Sequence, residues 1–123
     1  MKQARRLFLV AGIYGLAVLL PQFFLEARIG RDFPPAVTHP EYFYGFLGVA
    51  AAWQVAFLVI ATDPLRFRPL MIPSALEKFC FAAAVATLYW QGRAPGVVAD
   101  FATIDFFFGV LFVAAFRQLG RCA

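Results

Sequence analysis

The fold follows from residues 73–90, which read PSALEKFCFAAAVATLYW. As a helix, this stretch has nearly the length needed to cross a hydrocarbon core of ~30 Å. Glu77 and Lys78 lie in its first turns, and Tyr89 and Trp90 end it. The stretch therefore predicts a membrane span with charged residues near its cytoplasmic end.

Three other apolar stretches also have spanning length, and the composition agrees with a membrane protein. Hydrophobic residues make up 63% of the 123 residues and charged residues 15%, with a mean hydropathy of +0.75. A soluble domain has about half apolar and about a quarter charged residues. The sequence thus predicts one all-α transmembrane domain over residues 1–123, an integral membrane four-helix bundle. The predicted spans are residues 7–25, 41–61, 74–90 and 97–116.

The basic residues predict the orientation in the membrane. Seven of them fall on the side that holds both termini: Lys2, Arg5, Arg6, Arg66, Arg68, Arg117 and Arg121. Three fall on the opposite side: Arg28, Arg31 and Arg93. Cytoplasmic loops of membrane proteins carry the excess of Lys and Arg. Both termini are therefore predicted to be cytoplasmic, and the loop of residues 26–40 to be outside.

Asp105 is the candidate for specific chemistry within the spans. It is the ninth residue of the fourth predicted span, near the membrane midplane, where a charged aspartate costs ~3 kcal/mol or more to insert. Lys78 lies on the same helix side as Ala82, and Asp105 lies near Ala102 and Gly109, so both charges sit among small residues suited to helix contact. With antiparallel packing, the long stem of Lys78 is expected to reach Asp105.

Three interpretations of this charged pair are open from the sequence. The first is an ion pair, or a protonated aspartate with a hydrogen bond, that only fixes the helix register. The second is a proton relay or a ligand-binding group within the membrane. The third is a pair of lipid-facing side chains that extend to the interface.

Other polar residues are weaker candidates. Ser74 and Glu77 match the S-x-x-E capping box, which predicts a structural role for Glu77 at a helix start. Gln54 lies on the side of the second span opposite Gly45 and is expected to face another helix, because an unpaired amide is costly in lipid. Asp100 is expected near the outer interface, in a rim of polar groups.

The sequence has no pattern typical of a cofactor site, a metal site or a catalytic centre. His, Cys, Asp and Glu do not have metal-ligand spacing, and no Ser or Cys has a paired base. We therefore predict no cofactor, no metal and no catalytic residue. These predictions favour a protein that is not an enzyme. The net charge of +4 comes mostly from residues that flank the spans and form no basic stripe, so we also expect no nucleic-acid partner.

Three segments carry a resemblance to a known family. They are YFYGFLG at 42–48, the pair Trp53 and Gln54, and DPLRFRP at 63–69. In these the chain resembles small bacterial membrane proteins of the DoxX-like type, over the middle half of its length. The resemblance implies a four-helix bundle in a bacterial inner membrane, and some such proteins are associated with oxidoreductase or quinone-linked systems. It transfers no functional residue to this sequence.

Two functions follow from these observations. The first is a non-catalytic accessory or structural subunit that acts in the lipid bilayer through helix-helix contacts, with another copy of itself or with a larger membrane complex. Patches of small residues on all four predicted spans favour it. The alternative is a binder or carrier of a small lipophilic or protonatable ligand, which would use Asp105, Lys78, Glu77 and Gln54.

Overall fold

The described part of the chain is entirely helical. The computed structural model describes residues 1–122, except for the side chain of Cys122. The α-helices are α1 (Lys2–Leu19), α2 (Glu26–Asp32), α3 (Pro40–Thr62), α4 (Met71–Trp90) and α5 (Gly96–Cys122), and 3-10 turns cover Leu20–Phe24 and Arg68–Leu70. Within this part, four helices are long and apolar enough to cross a membrane. The predicted all-α class with four helices of spanning length is confirmed.

Prolines set the limits of several helices. Pro40 occupies the first turn of α3, where its missing N–H costs no hydrogen bond. Pro21 lies in the 3-10 turn that follows α1, so the α-helix ends at Leu19. The loop of residues 26–40 begins with the short helix α2, along which Arg28 and Asp32 form an exposed ion pair of 3.6 Å.

The predicted capping box at Ser74 and Glu77 is wrong. Helix α4 begins at Met71, three residues before Ser74, and its N-cap has no side-chain hydrogen bond. The Ser74 hydroxyl instead donates to the carbonyl oxygen of Leu70 at 2.6 Å, one turn back. Pro73 permits this earlier start, because a proline in the first helical turn needs no N–H partner. Glu77 is thereby free of the structural role expected for it.

The described spanning helices pack mainly as two pairs, α1 with α3 and α4 with α5. A cluster of fully buried phenylalanines, one from each of three helices, joins the pairs at the end that holds the termini. The ring of Phe112 lies 4.3 Å from that of Phe8 and 5.0 Å from that of Phe57, measured between centroids. Because lipid tails are as apolar as these rings, close packing rather than removal from water stabilises the cluster.

Glycines bring α1 and α3 close together. A Cβ atom on Gly12 would lie 2.6 Å from Cδ2 of Leu58 and 2.9 Å from the carbonyl oxygen of Gln54, and a Cβ atom on Gly15 would overlap the Gln54 side chain. Only the absence of a side chain allows this approach. The small-residue patch expected on the first span is therefore a helix contact, and Gln54 faces another helix as expected.

Arg68 closes the bundle at the basic end. Its Nε donates to the carbonyl oxygen of Phe116 at 2.8 Å, and its guanidinium carbon lies 3.8 Å from the centroid of the Phe116 ring. Gly120 leaves the space that the guanidinium fills. The contact ties the turn before α4 to the last turns of α5, so these two helices cannot separate at this end without breaking it.

Candidate functional site

Three charged side chains meet between α4 and α5. The Nζ atom of Lys78 lies 3.4 Å from Oδ1 of Asp105 and 3.8 Å from Oε2 of Glu77. These side chains are 3%, 17% and 19% exposed for Lys78, Asp105 and Glu77 respectively. The expected contact between Lys78 and Asp105 is present, and Glu77 joins it. We call these three residues the charged cluster.

Small residues allow the charged cluster to form. Lys78 shares its side of α4 with Ser74, Ala75 and Ala82, all buried, and Ala102 is buried on α5. Side chains this short bring the two helices close enough for an ammonium on one to reach a carboxylate on the other. The four-residue spacing seen in the sequence thus produces the contact for the reason expected.

Two aromatic rings also lie close to the Lys78 ammonium. Nζ of Lys78 lies 5.1 Å from the ring centroid of Phe57 and 5.8 Å from that of Phe108. Both distances fall within the ~6 Å over which a cation is attracted to an aromatic face. The ammonium is therefore held by two carboxylates and two rings, contributed by α3, α4 and α5.

Three buried atoms of the described residues, in and around the charged cluster, make no hydrogen bond, although one of them, Glu77 Oε2, is ion-paired with Lys78 at 3.8 Å. Tyr14 Oη, Gln54 Oε1 and Glu77 Oε2 form no hydrogen bond with any residue in the range 1–122, and we call them the orphan atoms. The amide nitrogen of Gln54 does have a partner, since it donates to the carbonyl oxygen of Ala50 at 2.9 Å. An unsatisfied buried polar group costs about 1–3 kcal/mol. For Gln54 Oε1 and Tyr14 Oη, the described residues supply neither a hydrogen bond nor an ion pair that would offset this cost.

All three residues with orphan atoms line one cavity, together with Lys78 and Asp105. The cavity measures about 520 Å³ and has walls from all five α-helices. Ligand pockets usually measure about 300–1,000 Å³. Its other walls are mostly apolar side chains, among them Leu19, Leu25, Ile29, Phe33, Phe81 and Phe101. The cavity thus joins a polar end at the charged cluster to an apolar part that reaches α2.

Four of the five candidate residues from the sequence line the cavity, and the fifth does not. Asp105, Lys78, Glu77 and Gln54 all line the cavity. Asp100 is exposed on α5 and does not line the cavity, because it lies five residues from Asp105 and so on a different side of the helix. Of the polar residues expected near Asp100 at the outer interface, Gln22 lines the cavity.

Tyr14 is the residue that sequence analysis missed. A tyrosine in an apolar span is common, so its hydroxyl gave no signal by itself. Its position gave no signal either, because Tyr14 lies about 100° around α1 from Gly15, the residue that faces Gln54 of α3. The ring of Tyr14 lies 5.8 Å from that of Phe108, which contacts the charged cluster.

The described residues place no metal-binding group of three and no thiol at the cavity. In the range 1–122, no group of three or more His, Cys, Asp and Glu side chains is placed to hold a metal ion. The Cys80 thiol is exposed and lies outside the lining of the cavity. What the cavity does provide is a set of hydrogen-bonding and charged groups surrounded by apolar walls.

Comparison of the chain with protein-family models, with curated proteins and with solved structures gives no match. The resemblance to DoxX-like proteins therefore stays a prediction.

Proposed function

We propose that the chain is a multi-pass protein of the bacterial inner membrane that binds a small amphipathic molecule in the cavity between its helices. The molecule's polar head would contact the charged cluster, and its apolar part would lie between α1, α2 and α5. The observation that carries this proposal is that the three orphan atoms all belong to residues lining the same cavity of about 520 Å³. This was the alternative function from the sequence, and the geometry favours it over the first.

The orphan atoms weigh against a purely structural ion pair. A pair that only fixed the register of α4 and α5 would need no cavity, and its neighbours would be expected to satisfy each other. Buried polar side chains in proteins are paired in the large majority of cases. A bound molecule would supply the missing partners and would recover part of the ~1–3 kcal/mol that each orphan atom costs.

The proposed orientation in the membrane predicts the side from which a molecule enters the cavity. The excess of basic residues supports a cytoplasmic location for both termini, and hence an outer location for α2. Because Leu25, Ile29 and Phe33 of this outer segment line the cavity, the molecule would enter from the outer half of the membrane. The charged cluster would then lie at the deep end of the path.

A role as an accessory subunit is the second candidate. Gly45 and Gly48 on α3 are exposed, and a Cβ atom on either would meet no other atom of residues 1–122 within 4 Å. Small residues on a free helix surface let another helix approach closely. This surface favours contact with a second protein, and such contact is compatible with ligand binding on the other side of α3.

Native mass spectrometry of the purified protein tests the binding function. Val98 lines the cavity, so Val98→Trp should fill part of it, whereas Val110→Trp places the same ring on an exposed part of the same helix. We expect the wild type and Val110→Trp to retain bound small molecules after detergent removal in the spectrometer, and Val98→Trp to lose them. Identical spectra for the three proteins would contradict the proposal.

A further inference from the structure

We infer that the bound molecule carries a primary or secondary ammonium head on an apolar tail. This inference rests on the proposed function and specifies its ligand. Three observations lead to it: the charge balance of the charged cluster, the hydrogen-bonding type of the orphan atoms, and the aromatic and apolar walls of the cavity.

The charged cluster holds more acid than base. Glu77 and Asp105 contribute two carboxylates against the single ammonium of Lys78, at 3.8 and 3.4 Å. A net charge within the membrane is costly to insert. The excess is balanced either by a proton or by a second cation, and an ammonium ligand supplies that cation. An anionic head would add to the excess and is disfavoured.

The orphan atoms require a donor. Gln54 Oε1 and Glu77 Oε2 accept hydrogen bonds, and an ionised carboxylate or an amide oxygen cannot donate. Tyr14 Oη can either donate or accept. An ammonium with two or three N–H groups matches two acceptors and a hydroxyl. A carbonyl head would offer only acceptors and would leave Gln54 Oε1 without a partner.

The walls indicate an organic cation rather than an inorganic one. A water molecule occupies about 30 Å³ of liquid, so a cavity of about 520 Å³ is far larger than a single small ion needs. Phe81 and Phe101 are among its aromatic walls, and such rings attract an ammonium while also packing against its alkyl chain. The apolar side chains toward α2 provide the surface for the tail.

A series of octyl compounds with one tail and different heads tests the inference. The probes are octylammonium, octyltrimethylammonium, octanol and octanoate, each titrated onto the protein in lipid nanodiscs, with empty nanodiscs subtracted. We expect octylammonium to bind at least about tenfold more tightly than each of the others. The trimethyl compound keeps the charge and removes every N–H, so it separates charge from hydrogen bonding.

Each outcome of the titration has a definite meaning. Octanol or octanoate binding as tightly as octylammonium would overturn the ammonium head and leave the proposed function standing. Equal binding of octylammonium and octyltrimethylammonium would overturn the argument from donors. If no probe binds above the empty nanodiscs, both the inference and the proposed function are contradicted.

Substitutions locate the binding. Glu77→Gln removes one negative charge and should weaken octylammonium about tenfold or more, whereas Glu41→Gln makes the same change at an exposed position and should have no effect. If Glu77→Gln does not fold, Gln54→Met removes an orphan acceptor without changing the charge. It should weaken octylammonium several-fold and leave octanoate unchanged. Wild-type affinity in a folded Glu77→Gln or Gln54→Met variant would refute the assignment.

Discussion

Lys78→Met is expected to destabilise the bundle strongly. Methionine keeps an unbranched side chain of similar length but removes the charge, so Glu77 and Asp105 are left buried without their ammonium. Two unit charges 3.4 Å apart, the distance between Nζ of Lys78 and Oδ1 of Asp105, interact by about 5 kcal/mol at an effective dielectric constant of about 20. Part of this is offset when a carboxylate takes up a proton. We expect the free energy of unfolding to fall by about 3–5 kcal/mol, as for other buried pairs that lose one partner.

Because Lys78 contacts two carboxylates, restoring stability requires more than one second substitution. Lys78→Met with Asp105→Leu still leaves Glu77 unpaired, so only part of the loss should be recovered. Lys78→Met with Glu77→Gln and Asp105→Asn removes all three charges and should come within about 1 kcal/mol of the wild type. Asp105→Asn alone keeps the contact between Lys78 and Glu77 and should therefore cost less than Lys78→Met.

Unfolding in mixed micelles with increasing SDS, followed by tryptophan fluorescence, gives these free energies. Lys2→Met is the matched control, since it makes the same substitution at an exposed position and should change the free energy of unfolding little. Strictly additive effects of Lys78→Met and Asp105→Leu would refute the contact between these residues. If Lys78→Met lowered the free energy of unfolding by less than about 1 kcal/mol, the ammonium would not be needed to offset the two buried carboxylates, and the reasoning would be refuted.

Three further predictions concern orientation and packing. Reporter fusions at the C-terminus should be active in the cytoplasm, and fusions at Pro35 should be active outside, because of the basic bias. Gly15→Leu should lower the free energy of unfolding by about 1–3 kcal/mol, since α3 already fills the space beside it, whereas Gly48→Leu should be tolerated on its open surface. Arg68→Met should cost about 1–2 kcal/mol through loss of its hydrogen bond and ring contact with α5, and exposed Arg66→Met close to nothing.

Each of these predictions has an opposite outcome that would contradict it. A C-terminus found outside would reverse the orientation and place α2 on the cytoplasmic side. Equal losses for Gly15→Leu and Gly48→Leu, measured in the same SDS titration, would show that the close approach of α1 and α3 does not decide the effect. If Arg66→Met were as damaging as Arg68→Met, the contact of Arg68 with α5 would not explain the loss.

Local sequence information was sufficient for the helices themselves. The number and length of the spans follow from apolar runs, because backbone groups in lipid must be satisfied within a helix and each helix must cross a fixed thickness. Four-residue spacing likewise placed Lys78 on the small-residue side of its helix, and the contact with Asp105 followed once the two helices packed closely. The predicted start of α4 was wrong because Ser74 and Glu77 match the capping-box pattern. The helix in fact begins at Met71, since Pro73 is compatible with the first helical turn.

Only the tertiary structure decided what surrounds the charged cluster. Glu77 is adjacent to Lys78 in sequence, yet its role depends on the position of α5, which brings a second carboxylate to the same ammonium. Tyr14 and Gln54 come from α1 and α3, and they line one cavity with the charged cluster only because the pair α1–α3 packs beside the pair α4–α5. Helix periodicity fixes which side of a helix a residue occupies. Which residues meet across helices depends on the angle and position at which the helices cross, and no single segment of the sequence determines that geometry.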